Sequence, residues 1–252
     1  MAASFRLDGR RAIVTGASRG LGAAMARALA DAGADVAGVA TGDLAAIGSD
    51  VRDRGRRFVA IAEDLADPDA PGRIVARTVE ALGGVDVLVN NAGIIRRADA
   101  LDFTPDDWND VIDVNLKAAF FLAQAVARRF VEQGTGGKIV NVASMLSYQG
   151  GVRVASYTAS KSGILGLTRL LANEWAARGI NVNAIAPGYM ATDNTAPLRA
   201  DPHRAAEILA RIPAGRWGEP ADLDGAVVFL ASSASDYVHG TTLAVDGGWL
   251  AR

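Results

Sequence analysis

Arg11-Ala12-Ile13-Val14-Thr15-Gly16-Ala17-Ser18-Arg19-Gly20-Leu21-Gly22 is a short apolar run followed by a glycine-rich turn, and an alanine-rich stretch continues from it to Ala32. The order reads as strand, turn, helix. Glycines in such a turn let the backbone approach a pyrophosphate closely, and the helix N-terminus favours the negative charge. The spacing is GxxxGxG rather than GxGxxG. The strand before it and the helix after it supply the context that a glycine pattern needs to read as a dinucleotide loop rather than a plain tight turn.

The same alternation runs through the rest of the chain. Apolar runs predict strands over 35–40, 57–62, 85–89, 138–143 and 181–186, with a short last strand from Thr242 that turns at Gly247-Gly248. Helices are predicted over 43–54, 69–82, 104–133, from Tyr157 to about Arg178, and over 219–230. Thr104-Pro105-Asp106-Asp107 is a good helix start, with a capping threonine, proline in the first turn and acids at the positive end. Residues 189–216 read as an irregular, partly helical insertion. Strands alternating with helices predict an α/β chain: a single Rossmann-type doubly wound parallel sheet with right-handed crossovers and helices on both faces. No repeat, linker or low-complexity tract divides it, so 1–252 is read as one dinucleotide-binding and catalytic domain.

Ligands of such sheets lie beyond the carboxyl ends of the strands. The glycine loop, Thr41, Asp64-Leu65, Asn90-Asn91-Ala92-Gly93, Ser144 and Pro187-Gly188 all follow predicted strand ends, so they should converge on one cleft. Thr41 should meet an adenosine ribose. Asp64 either accepts from an adenine amino group or caps the helix that follows. Asn115 is polar in an apolar stretch; it is either structural, or it bends the helix and holds a water.

Tyr157 and Lys161 lie four apart in a helical stretch and therefore on one face. A free tyrosine has a pKa of about 10, and a neighbouring ammonium favours the phenolate. A tuned tyrosine can pass a proton to or from a carbinol oxygen, and the Ser144 hydroxyl could hold that oxygen. YxxxK alone is a frequent accident on helices; its weight comes from the rest of the pattern.

Composition narrows the alternatives. The 252 residues carry 26 Lys plus Arg against 28 Asp plus Glu, a net charge of -2, with no basic block that would suggest nucleic acid. Apolar runs are broken short of a membrane span. Met1 to Arg6 has no apolar leader region, so a cytoplasmic protein is expected. The absence of cysteine excludes disulfides and thiolate zinc sites, and His203 and His239 have no metal-ligand spacing, so no metal is expected. Ser144 lies outside a GxSxG turn with no histidine nearby, which argues against a serine hydrolase.

Taken together, Thr15 to Gly22, Asn90-Asn91-Ala92-Gly93, Asn115, Ser144, Tyr157/Lys161 and Pro187-Gly188 through Thr192 resemble the short-chain dehydrogenase/reductase family over essentially the whole chain. The resemblance implies Tyr157 as acid/base, Ser144 orienting the substrate oxygen, and Lys161 on the nicotinamide ribose. It also implies Asn115 holding a relay water and Thr192 bonding the carboxamide. The cofactor contacts implied are Gly16, Ser18, Arg19, Gly20, Leu21, Gly22, Thr41, Asp64, Leu65, Asn91, Ala92, Gly93, Tyr157, Lys161, Pro187, Gly188 and Thr192.

Further stretches resemble a sugar-acid dehydrogenase subgroup of pectin and uronate breakdown, and that likeness implies a homotetramer. They include Ile94-Ile95-Arg96-Arg97, Gln149-Gly150-Gly151-Val152-Arg153, Tyr189-Met190-Ala191 and the terminal Asp246-Gly247-Gly248-Trp249-Leu250-Ala251-Arg252. A sugar-acid carboxylate needs a cation, for which Arg153, Arg96 and Arg97 are candidates. Arg153 comes first because its loop borders the catalytic pair; Gln149 and Tyr189 could serve the hydroxyls. The subgroup implies NAD. The second strand's tip, however, carries no Asp or Glu for a ribose 2′-hydroxyl, and Arg19 and Thr41 instead resemble the carrier-protein reductases of the family, which use NADPH. Either dinucleotide is therefore compatible. A 3-oxoacyl carrier-protein reductase shares every catalytic residue and is the alternative enzyme. A non-catalytic nucleotide-binding protein would usually lack part of the Ser/Tyr/Lys set.

Overall fold

The computed structural model describes residues 4–252; the first three residues of the stretch read for a leader lie outside the described residues. Seven strands form one sheet in the order β3-β2-β1-β4-β5-β6-β7, every pair parallel. The strands are β1 (Arg11–Thr15), β2 (Asp35–Ala40), β3 (Phe58–Ala62), β4 (Val87–Asn90), β5 (Gly137–Val142), β6 (Ile180–Pro187) and β7 (Thr242–Val245). All lie where the apolar runs place them, with ends moved by a few residues at most.

The central strands are buried on both faces, which is why they read as continuous apolar runs. Alternate residues go to opposite sides. Ala12, Val14, Val36, Val87 and Val140 pack on one face with α1 (Gly20–Asp31), α2 (Ala45–Asp53) and α9 (Asp224–Ala231). Ile13, Val39, Leu88, Ile139 and Val182 pack on the other with α3 (Ala70–Leu82), α5 (Ala118–Gln133) and α6 (Ala155–Trp175). Phe130 of α5 is fully buried, a contribution of roughly 1.5–3 kcal/mol.

Two differences from the expected elements have physical causes. The predicted helix over 104–133 is α4 (Pro105–Ile112) and α5 joined by one π-helical turn, Asp113–Lys117, around Asn115. Thr104 caps α4 as expected, accepting from the Asp107 amide at 3.1 Å. Asp64 does not cap the helix after it; its carboxylate accepts from the Ala66 amide at 2.9 Å and closes a local turn, and α3 starts later, at Ala70. The insertion after β6 is partly helical as expected, with α7 (Ala196–Ala200) and α8 (Pro202–Arg211), the latter capped by Asp201.

Strand order reverses between β1 and β4, the position at which a doubly wound sheet opens a crevice above its carboxyl ends. Among the described residues, no helix is long and apolar enough to cross a membrane, and no group of His, Asp or Glu is placed to hold a metal ion.

Candidate active site

A cleft of 590 Å³ lies over those strand ends, inside the roughly 300–1,000 Å³ range of small-molecule sites. Its floor at the first crossover is the glycine loop. Gly16 has a φ of +65°, and a Cβ there would stand 2.9 Å from Asn91 Nδ2. A Cβ on Gly22 would collide with the Gly16 carbonyl. Bare backbone at these two positions lets α1 begin directly beneath the loop, and the resulting cradle is open to a phosphate-bearing ligand.

Thr15, the last residue of β1, ties the loop to its neighbour. Its hydroxyl accepts from the amides of Asn91 at 2.9 Å and Ala92 at 3.0 Å. Asn91 Nδ2 donates back to the Thr15 carbonyl at 2.8 Å. The Asn90-Asn91-Ala92-Gly93 turn is thereby held against the glycine loop.

The cofactor residues expected on the loop (Gly16, Ser18, Arg19, Gly20, Leu21 and Gly22) all line the cleft. So do Thr41, Asp64 and Leu65 at the ends of β2 and β3, Asn91, Ala92 and Gly93 after β4, and Pro187, Gly188 and Thr192 after β6. The reading missed Val142, Ala143 and the run Asp193, Asn194 and Thr195, which also line it. Asp193 meets Arg19 at 3.1 Å.

Ser144, Tyr157 and Lys161 share the far end of the same cleft. Ser144 follows β5 and caps the 3-10 turn Met145–Ser147, its hydroxyl accepting from the Leu146 amide at 3.1 Å. Ser147 donates to the Lys161 carbonyl at 2.7 Å while receiving the Ser144 amide at 3.3 Å, so one hydroxyl joins the turn to α6. Its position three residues after Ser144 is that of a capping partner, which was the available clue.

Lys161 is buried. Its ammonium donates to the Val142 carbonyl at 2.6 Å and stands 5.8 Å from the centre of the Tyr157 ring. Burial lowers its pKa to about 8. The depression expected for Tyr157 is not present: burial pushes the phenol up, opposed by the Ser144 side chain and by the charge of Arg97. Withdrawal from water outweighs the attraction of nearby cations here.

Asn115 is buried behind the cleft. Its Oδ1 accepts from the Ile94 amide at 2.8 Å, and its Nδ2 donates to the Ile94 carbonyl at 2.9 Å and to Ser160 Oγ at 3.3 Å. Ser160 in turn donates to the Tyr157 carbonyl at 2.8 Å. The π-turn thus connects the turn after β4 to the helix of Tyr157.

The substrate-side candidates are dispersed. Arg96 lines the cleft but is paired with Asp107 at 3.4 Å and Asp110 at 2.9 Å. Arg153 does not line it; it pairs with Asp99 at 3.6 Å, on a backbone with φ of +64°. Gln149 accepts from Arg211 at 3.3 Å. Tyr189 packs edge-on against Trp217 and Trp249 beside a smaller pocket. Arg97 does not line the cleft either; it donates to the Asn194 carbonyl at 3.0 Å, and its charge is felt at Tyr157.

Comparison with known proteins places this arrangement. Two 2-dehydro-3-deoxy-D-gluconate 5-dehydrogenases, from Escherichia coli (strain K12) and Dickeya dadantii (strain 3937), are each 59% identical over 249 residues, 99% of this chain and 98% of theirs. A solved protein from Agrobacterium tumefaciens, named as a candidate 2-deoxy-D-gluconate 3-dehydrogenase and holding NADP, is 56% identical with a TM-score of 0.93, covering 98% of this chain and 99% of its own. Residues 16–250 match the family described as Enoyl-(Acyl carrier protein) reductase. With that match, relatives of this identity and an all-parallel sheet carrying Ser144, Tyr157 and Lys161 in one cleft, the chain belongs to the short-chain dehydrogenase/reductase family of oxidoreductases.

Proposed function

We propose that this protein interconverts a secondary alcohol and a ketone on a sugar acid of the 2-dehydro-3-deoxy-D-gluconate or 2-deoxy-D-gluconate type, using NAD or NADP. The observation that carries the reading is 59% identity along nearly the whole length of enzymes named for that reaction. The cradle at Gly16 and Gly22 and the bound NADP of the Agrobacterium protein support the dinucleotide. Because the tip of β2 carries no acid, either dinucleotide is accommodated.

A bound nicotinamide dinucleotide supplies the hydride acceptor or donor. The chain's own residues do the rest. Tyr157 takes the proton from the carbinol oxygen in oxidation and returns it in reduction. Ser144 holds that oxygen. Lys161, with its ammonium fixed on the Val142 carbonyl, binds ribose hydroxyls and biases the phenol towards phenolate once the cleft is filled. Asn115 has both amide hydrogens committed, so its share in a relay is the second lone pair on Oδ1. Thr192, which lines the cleft after β6, would bond the carboxamide.

The enzyme is proposed to work in the cytoplasm as a homotetramer. Exposed Trp108, Phe121 and Leu170 on α4, α5 and α6 suit burial between copies; light scattering that returned the mass of one 26.1 kDa chain would refute this.

A 3-oxoacyl carrier-protein reductase shares the Ser/Tyr/Lys set, and Arg19 and Thr41, which both line the cleft, favour it as the second reading. Steady-state assay on hexonates, 3-deoxy keto acids and acyl thioesters separates the two. Turnover should be confined to the sugar acids, and Tyr157→Phe should reduce it by roughly 10²–10⁴-fold with little change in dinucleotide affinity. Preference for acyl thioesters, or near-normal turnover in the variant, would refute the reading.

A further inference from the structure

Asp193 is the first residue of the segment that covers the cleft after Thr192, and its carboxylate reaches across the mouth to Arg19 on the glycine loop at 3.1 Å. The two side chains are 74% and 76% exposed. Three cations line the cleft among the described residues: Arg19, Arg96 and Lys161. Lys161 is buried on the Val142 carbonyl, and Arg96 is held between Asp107 and Asp110. At the tips of β2 and β3, Glu63 is gripped by Arg73, and Asp64 is turned onto the Ala66 amide. Arg19 is therefore the cation left to meet a phosphate at the adenosine end, and a carboxylate from the covering segment already occupies it.

We propose that Asp193 sets the choice between NAD and NADP by competing with a ribose 2′-phosphate for Arg19. This rests on the dinucleotide reading given above. A phosphate at the 2′ position needs the guanidinium, so the Arg19–Asp193 pair must open before it binds. A 2′-hydroxyl makes no such demand, and NAD binds with the pair intact. Asp193 thus penalises NADP by occupying the phosphate's partner, doing from the covering segment what an acid at the tip of the second strand does elsewhere by repulsion. An exposed ion pair is worth little, so the effect on selectivity should be about two- to fivefold.

The test is a double-mutant cycle read by equilibrium binding of NAD and of NADP, with calorimetry on the full chain and circular dichroism as the control for folding. Asp193→Asn should tighten NADP about two- to fivefold and leave NAD unchanged. Arg19→Ala should weaken NADP, and adding Asp193→Asn to it should then have no effect on either dinucleotide. Asp193→Asn tightening both dinucleotides equally, or neither, overturns the proposal, as does Arg19→Ala that leaves NADP binding intact. If the wild-type chain binds neither dinucleotide, the cofactor reading itself fails and takes this proposal with it. An unchanged NADP/NAD ratio in a chain that binds both removes the proposal alone.

Discussion

The Ser147 hydroxyl donates to the main-chain carbonyl of Lys161 at 2.7 Å. The same oxygen receives the Ser144 amide, so one side chain links Ser144 to the helix that carries Tyr157. Removing such a bond costs about 0.5–1.5 kcal/mol. Ser147→Ala should lower kcat by up to about tenfold while dinucleotide affinity stays level, and Ser147→Thr, which keeps a hydroxyl, should recover most of it. Equal losses in kcat and in dinucleotide binding would instead indicate collapse of the turn.

Lys161 connects function to stability. Burial lowers its pKa from 10.5 to about 8. Between those values the unfolded chain holds a proton that the folded chain has released, so this group's contribution to stability improves as pH rises through the window. Below about pH 8 both states are protonated and the cost of burying the charge is fully present, on the order of 3 kcal/mol. Lys161→Met should therefore raise Tm near pH 7 while abolishing turnover, and the gain should shrink towards pH 10. Thermal unfolding at the two pH values checks this; a difference independent of pH would mean that the charge is not the source. A variant less stable near pH 7 would mean that the Val142 carbonyl, left without its donor, outweighs it.

Recognition of the substrate carboxylate should fall to Arg97 rather than Arg153. Arg153 is turned to Asp99 and Arg96 is held by two acids, whereas Arg97 is bonded to a carbonyl and pulls on the Tyr157 phenol. A charged hydrogen bond is worth about 1.5–3 kcal/mol, so Arg97→Ala should raise KM for the sugar acid by roughly ten- to a hundredfold and spare an uncharged ketone. Arg153→Ala should change neither much. The reverse pattern would return the role to the Arg153 loop.

The parts of this molecule that were legible in sequence are those where local chemistry and fold agree. Apolar runs buried on both faces located the strands, and turn residues at their ends located the cleft, because a parallel sheet collects strand ends on one side. Pairing was not legible. Nothing local announces that Arg19 will meet Asp193 across most of the chain's length, or that Thr15 will receive two amides from the turn after β4. The ion pairs of Arg96 and Arg153 were hidden for the same reason. Proximity of a loop to the catalytic pair was visible, whereas the acids that bind Arg96 and Arg153 come from positions that only the folded chain brings near. The lowered phenol pKa inferred from spacing gave way because spacing carries no information about desolvation.

The π-turn at Asp113–Lys117 carries a surplus residue in an otherwise regular rod. Each residue of an α-helix turns the chain by about 100°, and the wider π-turn spends one residue more on a single revolution, so the phase in which α5 presents Leu122, Val126 and Phe130 to the sheet is kept across it. Losing one position inside the bulge would restore a regular rod and leave that apolar face in its seat, but it would shift Asn115 off the Ile94 main chain. The surplus residue thus serves the cleft and not the core: an in-frame loss of a single codon there should be tolerated by the fold and felt at the turn after β4.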